Sequence, residues 1–162
     1  MSLTPAQQDY LEAIYRIEIE GNSSAVRISD IAEHLGTRLP TVTRTVQKLT
    51  TAGFVAHDAR KAVQLTARGR QVAGEILHRH KDLVVFLTRI LGLETTEAEH
   101  DVCQIEHGLS GKAAQRLHEF LLYLNSLDES EREIVARFRD EATSGKRDFR
   151  HLPSGRTVGW RM

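Results

Sequence analysis

The sequence lacks the features that would place the protein in a membrane, in an oxidising compartment or among strongly charged proteins. Its 162 residues include one cysteine, which cannot form an internal disulfide and suits a reducing cytoplasm. No apolar run approaches the roughly 20 residues that a membrane-spanning helix needs. The N-terminus has neither the basic nor the apolar region of a signal peptide. These absences predict a cytoplasmic protein that has no membrane partner.

Positive charge is concentrated in one part of a chain whose formal net charge is zero. The stretch from 36 to 70 contains seven basic residues and one acid, and seven minus one leaves a net charge of +6. The basic residues are Arg38, Arg44, Lys48, Arg60, Lys61, Arg68 and Arg70. Such a segment can bind phosphate groups. On charge alone, a solvated helix face explains it equally well.

Hydrophobic periodicity predicts a mainly helical protein with one short hairpin. Thr4 and Pro5 are typical of a helix start, Ser29 is the predicted cap of the second helix, and glycines such as Gly53 are typical of helix ends. The predicted helices cover 5–20, 27–36, 40–53, 67–92, about 94–107, 110–125 and 129–142. The β-prone runs around "DARK" predict a hairpin over 54–66.

Three short helices followed by a hairpin are the outline of a winged helix-turn-helix, in which the third helix enters the major groove of DNA. The apolar positions of helix 40–52 are needed for the core, which leaves its polar side chains to face bases or phosphates. The candidate DNA-binding residues are Arg38, Pro40, Thr41, Thr43, Arg44, Gln47, Lys48, Arg60 and Lys61. The alternative is a small helical domain whose third helix carries ordinary solvated side chains.

The segment "DVCQIEHGLS", residues 101–110, contains the single cysteine followed by a carboxylate and an imidazole. Cys103, Glu106 and His107 stand at positions i, i+3 and i+4, so they project from one face of a helix. All three are metal-ligand types. Asp9 and Glu12 share a face of the first helix in the same way. Either group alone is also compatible with a solvated helix face.

From about residue 4 to 125 the sequence resembles the metal-dependent repressors related to the diphtheria toxin repressor and the manganese transport regulator. The resemblance rests on "DYLEAIY", "ISDIAEHLG…PTVTRTVQKL", "GFV…VQLTARGR", "HRHKDLVVFL" and "DVCQIEHGLS", in that order. It implies a homodimer that binds double-stranded, palindromic operator DNA with Mn²⁺ or Fe²⁺ as corepressor, and no small-molecule substrate. Co²⁺ and Zn²⁺ are expected to substitute in vitro. The implied metal ligands are Asp9, Glu12, His80, Cys103, Glu106 and His107.

Two departures from the family pattern make the implied ligand set a hybrid. Cys103 stands where the manganese branch has a carboxylate, and Asp9 stands where the iron branch has methionine. A second site of the iron branch would need a glutamate at the position of Val84. A thiolate shifts preference toward softer metals than Mn²⁺, and the choice between Fe²⁺ and Mn²⁺ stays open.

The resemblance implies a winged helix-turn-helix at 1–70, a helical metal-binding and dimerisation domain at 71–142 and a tail at 143–162. The SH3-like domain of the iron branch does not fit within this length. We therefore expect a metal-activated repressor without catalytic residues. One alternative is a metal-independent winged-helix regulator. The other is a metalloenzyme, against which the sequence offers no separate nucleophile or substrate-binding loop.

Overall fold

The structure, a computed structural model, describes residues 3–21, 25–57 and 62–144. The chain divides into two compact units, Met1–His80 and Lys81–Met162. The boundary falls inside the helix Ala67–Val85.

The first unit contains helices α1 (Pro5–Glu20), α2 (Ile28–His34) and α3 (Leu39–Thr51), strands β1 (Val55–Ala56) and β2 (Gln64–Leu65), and the larger part of α4 (Ala67–Val85). Thr4 caps α1 as predicted, since its Oγ1 accepts the Gln7 N–H at 3.3 Å and its own N–H donates to Gln7 Oε1 at 2.9 Å. These reciprocal bonds satisfy two donors that the helix leaves unpaired.

The predicted cap of α2 is wrong. Arg27 is the N-cap, and its backbone N–H donates to Asp30 Oδ2 at 3.2 Å. Ser29 lies inside the helix, where its hydroxyl donates to Asp30 Oδ1 at 3.1 Å. The carboxylate at the third helical position reaches back to the helix start, so the cap residue itself contributes only a backbone donor.

The two strands form the predicted hairpin. They pair antiparallel, with Val55 opposite Leu65, and Val26 adds an isolated bridge to Val63. Residues 58–61, with the predicted DNA-contacting Arg60 and Lys61, lie outside the described residues. The buried core of this unit comprises Tyr10, Leu11, Ile14, Val26, Ile31, Ala32, Val42, Val46, Leu49, Phe54, Val55, Val63, Leu65 and Ala73.

The start of α4 is tied to the hairpin through backbone contact. Thr66 Oγ1 donates to the Gly53 carbonyl at 2.9 Å and accepts the Gly69 N–H at 3.0 Å. A Cβ atom at Gly69 would lie 1.9 Å from the Phe54 carbonyl oxygen. Only glycine allows the two backbones to approach this closely.

An ion pair with a buried carboxylate connects α4 to its neighbours at the same place. Glu18 on α1 is buried, and its Oε2 lies 2.6 Å from Arg70 Nη1 on α4. Its Oε1 accepts the Leu65 N–H of β2 at 3.4 Å. One carboxylate thus connects α1, β2 and α4. We call Glu18, Leu65, Thr66, Gly69 and Arg70 the wing anchor.

The second unit contains the end of α4, a π-helical turn (Phe86–Ile90), α5 (Thr95–Ile105), α6 (Gly111–Ser126) and α7 (Glu129–Thr143). The prediction of one uninterrupted helix over 67–92 is wrong in its last part. The Leu91 N–H donates to the Phe86 carbonyl, five residues earlier, at 3.1 Å. Hydrophobic periodicity indicates that this segment is helical, but it does not specify which carbonyl each N–H bonds to, so the wider turn was not expected.

The core of the second unit is small. Leu83, Leu87, Ala98 and Val102 are buried together, whereas no described residue of α6 or α7 is fully buried. These two helices expose large apolar side chains, namely Phe120, Leu122, Tyr123, Ile134 and Phe138. The mainly helical fold with an N-terminal winged helix-turn-helix is confirmed. Across the described residues, every helix is too short or too polar to cross a lipid bilayer.

Candidate metal centre and DNA-binding surface

Two of the predicted ligands come together within the first unit. Asp9 and Glu12 lie one turn apart on α1, the former half-buried and the latter buried. His80, on α4, is buried as well, and its Nδ1 lies 3.8 Å from Glu12 Oε1. This distance is too long for a hydrogen bond. It is shorter than two metal–oxygen bonds of about 2.1 Å laid end to end, so both atoms can contact one ion.

Arg16 also reaches Glu12. Its Nε donates to Glu12 Oε1 at 2.8 Å, and its Nη2 lies 2.7 Å from the same oxygen. Arg16 is not among the residues predicted for the site, although the spacing of four between an acid and an arginine on a helix predicts such a pair. The carboxylate therefore has a cationic partner on its own helix.

Two further predicted ligands lie together in the second unit. Glu106 is buried at the C-cap of α5, and His107 follows it with Nε2 at 3.5 Å from Glu106 Oε1. Cys103 lies one turn earlier on α5 and is exposed. It is therefore not a small buried hydrophobic residue, which is the common fate of a free cysteine. The six predicted ligands divide three and three between the units.

The donor set fits a divalent transition metal. Glu12 and Glu106 are buried carboxylates, and each lies beside an imidazole nitrogen. A carboxylate removed from water is costly unless a cation compensates its charge, as Arg16 does for Glu12. Carboxylate oxygens suit Mn²⁺, imidazole nitrogens suit iron and zinc, and a thiolate adds a softer donor. The residues present are those that an ion of this class needs.

The third helix presents the predicted polar face. Val42, Val46 and Leu49 are fully buried in the core of the first unit, which confirms the predicted apolar stripe. Its exposed side chains include Thr41, Arg44, Gln47 and Lys48. This face can contact bases and phosphates without any loss of core packing.

The remaining candidates on and before α3 are less uniform. Arg38 is the exposed N-cap and Pro40 is an exposed residue of the first turn. Thr43 is half-buried, and its hydroxyl donates to the Leu39 carbonyl at 3.0 Å. A hydroxyl engaged in this way contacts DNA less readily than that of Thr41.

Internal contacts use part of the basic charge between 36 and 70. Arg70 pairs with Glu18 in the wing anchor. Arg68 lies over the ring of Phe54, with its guanidinium carbon 4.3 Å from the ring centroid. Arg68 keeps its charge in this contact, whereas the charge of Arg70 is compensated by Glu18, so the charge available to phosphate groups is smaller than the sequence count of +6 suggests.

Two family models match the chain, one over each part. The family described as "Iron dependent repressor, N-terminal DNA binding domain" matches residues 2–63. The family described as "Iron dependent repressor, metal binding and dimerisation domain" matches residues 66–134. Together they cover most of the chain.

Curated relatives match over most of their own length. The transcriptional regulator MntR of Geobacillus thermodenitrificans is 38% identical over 133 residues, which are 82% of this chain and 90% of that protein. MntR of Bacillus subtilis is 34% identical over 131 residues, covering 81% of this chain and 90% of that protein. An uncharacterised regulator of Methanocaldococcus jannaschii is 33% identical over 114 residues, or 70% of this chain and 90% of that protein.

Solved structures share the fold. The manganese regulator SloR matches with a TM-score of 0.64 and 30% identity, over 75% of this chain and 55% of that chain. A manganese-dependent transcriptional repressor in complex with manganese matches with a TM-score of 0.64 and 31% identity, over 71% and 52% of the two chains. The chain thus spans about half the length of each of these two solved chains.

Proposed function

Because the chain belongs to the family of iron-dependent repressors, we propose that Mn²⁺ or Fe²⁺ activates it to repress its operators. Family membership makes it a metal-responsive transcriptional regulator and not an enzyme. The observation that carries this proposal is the occurrence of a buried carboxylate beside an imidazole in each unit: Glu12 with His80, and Glu106 with His107. Carboxylate oxygens and imidazole nitrogens are donor types that suit Mn²⁺ and Fe²⁺.

We assign the metal ion six ligands: Asp9, Glu12, His80, Cys103, Glu106 and His107. Three of them carry negative charge as carboxylates, and these repel one another when nothing compensates them. A bound divalent cation supplies that compensation. Because three ligands belong to each unit, the shared ligand set couples the helices that carry Asp9 and His80 to the segment that carries Glu106.

This coupling explains how metal status reaches the DNA. Helix α1, which bears Asp9 and Glu12, packs in the same core as α3, so an orientation imposed on α1 is imposed on α3. By linkage, DNA that selects the same arrangement tightens metal binding by the same factor. The response is a shift of population toward the arrangement that binds operator.

The cognate ion is Mn²⁺ or Fe²⁺, with Co²⁺ and Zn²⁺ as in vitro substitutes. Two of the similar solved structures are titled as a manganese regulator and a manganese-dependent repressor, and the family models are named for iron. Cys103 is the one soft donor among oxygens and nitrogens, and it favours metals softer than Mn²⁺. Availability in the cell then decides between the two ions.

The DNA partner is a double-stranded, palindromic operator read by a homodimer. A two-fold dimer presents two copies of α3 to two half-sites, and this symmetry favours a palindrome. The exposed apolar side chains of α6 and α7 support dimerisation through the second unit. We propose 1–70 as the DNA-binding domain, 71–142 as the metal-binding and dimerisation domain and 143–162 as a tail, in a cytoplasmic protein.

The test is DNA binding measured by fluorescence anisotropy with Mn²⁺, Fe²⁺, Co²⁺ and Zn²⁺ in turn, at fixed salt. The probe is a duplex selected from a random library with the Mn²⁺-loaded protein. Glu106→Gln and His107→Ala should lose metal-dependent binding but keep their helical content and dimer. Glu119→Gln, an α6 carboxylate that pairs with Arg116, is the control and should behave as wild type.

Two outcomes would contradict the proposal in different ways. A full metal response in both Glu106→Gln and His107→Ala would remove these residues from the ligand set. Equal DNA binding by the wild-type protein with and without every metal would favour the metal-independent winged-helix regulator.

A further inference from the structure

The ion pair between Arg16 and Glu12 differs from an ordinary pair on a helix surface. The side chains of Arg16 and Glu12 are 30% and 10% exposed, whereas those of Arg116 and Glu119 on α6 are 72% and 42% exposed. Exposed pairs of this kind contribute little to stability. A pair whose carboxylate is withdrawn from water interacts more strongly.

The contacts of Arg16 converge on a single atom. Its Nε and Nη2 lie 2.8 Å and 2.7 Å from Glu12 Oε1. His80 Nδ1 approaches that same oxygen at 3.8 Å. The atom best placed to ligate a metal together with His80 is therefore already occupied by a guanidinium, which is always positively charged.

We propose that Arg16 is an internal competitor for the metal, a cation that holds Glu12 in the metal-free protein and lowers the affinity of the site for divalent ions. This inference rests on the proposed function, because it concerns the same ligand Glu12. A divalent cation near Oε1 either shares the carboxylate with the guanidinium or displaces it, and like charges repel at such distances. The partly exposed side chain of Arg16 can turn toward water when it is displaced.

Arg16, which is not a ligand, would then set the metal concentration at which the regulator responds. Without Arg16, the metal-free protein would hold Glu12 with no guanidinium beside it, and the bound ion would face no repulsion from that side. Both changes favour the metal-bound form. The competing view is that Arg16 positions Glu12 for the ion, and it predicts the opposite sign.

The experiment compares Mn²⁺ affinity by isothermal titration calorimetry with thermal melting of the metal-free protein in chelator. Arg16→Met keeps the aliphatic stem and the helix propensity but removes the charge. It should tighten Mn²⁺ binding about tenfold, equivalent to about 1.4 kcal/mol, and lower the melting temperature of the metal-free form. Arg16→Lys keeps the charge and should stay near wild type.

Arg116→Met removes the surface pair on α6 and should change neither measurement. If Arg16→Met does not fold, Arg16→Gln removes the charge, keeps an amide donor and carries the same expectation. Unchanged or weaker Mn²⁺ binding in the neutral variant would overturn the competitor role. A wild-type protein that binds no Mn²⁺, Fe²⁺ or Co²⁺ would overturn the proposed function as well, so the two failures are distinguishable.

Discussion

Replacing Arg70 should destabilise the first unit more than replacing its partner Glu18. The reason is the unequal burial of the pair: the side chain of Glu18 is 3% exposed and that of Arg70 is 46% exposed. Among the described residues, Arg70→Met leaves a buried carboxylate that keeps its hydrogen bond from the Leu65 N–H at 3.4 Å. Glu18→Gln leaves a guanidinium that can turn into water, and the amide oxygen still accepts from Leu65.

The expected magnitudes follow from this asymmetry. Breaking a fully buried ion pair costs about 3–5 kcal/mol, and the half-exposed arginine reduces this to about 2 kcal/mol for Arg70→Met. Glu18→Gln loses one charge-assisted hydrogen bond without stranding a buried charge, and should cost about 1 kcal/mol. The double variant should cost no more than Arg70→Met alone, since no ionised carboxylate remains uncompensated.

The assay is urea unfolding followed by circular dichroism, with chelator present so that metal binding does not contribute. Arg116→Met, in an exposed pair, is the control and should leave the unfolding midpoint unchanged. A free energy of unfolding reduced as much by Glu18→Gln as by Arg70→Met would refute the argument from burial. Additive effects in the double variant would show that the two side chains are not coupled.

Three further predictions concern the DNA-binding face, the thiol and the close approach of α4. Arg44→Ala and Gln47→Ala should each weaken operator binding by about 1–3 kcal/mol and non-specific binding much less. Anisotropy with operator and scrambled duplexes measures the ratio of the two affinities. An unchanged ratio for Arg44→Ala would show that α3 does not recognise the operator sequence. Cys103→Ser should abolish the sulfur-to-metal charge-transfer absorption of the Co²⁺ complex, and Cys103→Glu should favour Mn²⁺ over Co²⁺. An unchanged order of metal affinities in Cys103→Ala would remove the thiol from the ligand set. Gly69→Ala should lower the free energy of unfolding by about 2 kcal/mol or more, because the added Cβ meets a carbonyl oxygen at 1.9 Å. Thermal melting tests this against the control Gly111→Ala, where the added atom meets nothing within 4 Å. Equal melting temperatures of the two variants would show that the backbone at Gly69 shifts to accommodate the methyl group.

The helices could be predicted closely because local signals mark most of their ends. Thr4 and Pro5 start α1, and glycines with positive φ follow α2, α3 and the π-helical turn, as at Gly53 with φ of 78°. Where two local acceptors compete, such reasoning fails: Ser29 was the expected cap, but the Asp30 carboxylate makes the bond. Hydrogen-bond register inside a helix leaves no sequence signal, so the π-helical turn was missed.

The candidate site was predictable where its residues are neighbours in sequence. The spacing of Cys103, Glu106 and His107 identifies one face of a helix, and the structure confirms that Glu106 and His107 lie together. His80 is 68 positions from Glu12, and only the family resemblance connected the two. The pairing of Glu18 with Arg70, 52 positions apart, has no local signal, because an acid on α1 has many possible partners.

The wing anchor has a mechanical consequence for the metal site. Helix α4 is fixed to the hairpin at Gly69 and Arg70 and carries His80 ten residues beyond Arg70, a span of about 15 Å along a helix that rises 1.5 Å per residue. If the helix tilts as a rigid body by about 2° at the wing anchor, its far end moves by about 0.5 Å. This displacement equals the positional tolerance of a preorganised site. Substitutions at Gly69 or Arg70 are therefore expected to shift the position of His80 without replacing any of the six proposed ligand residues.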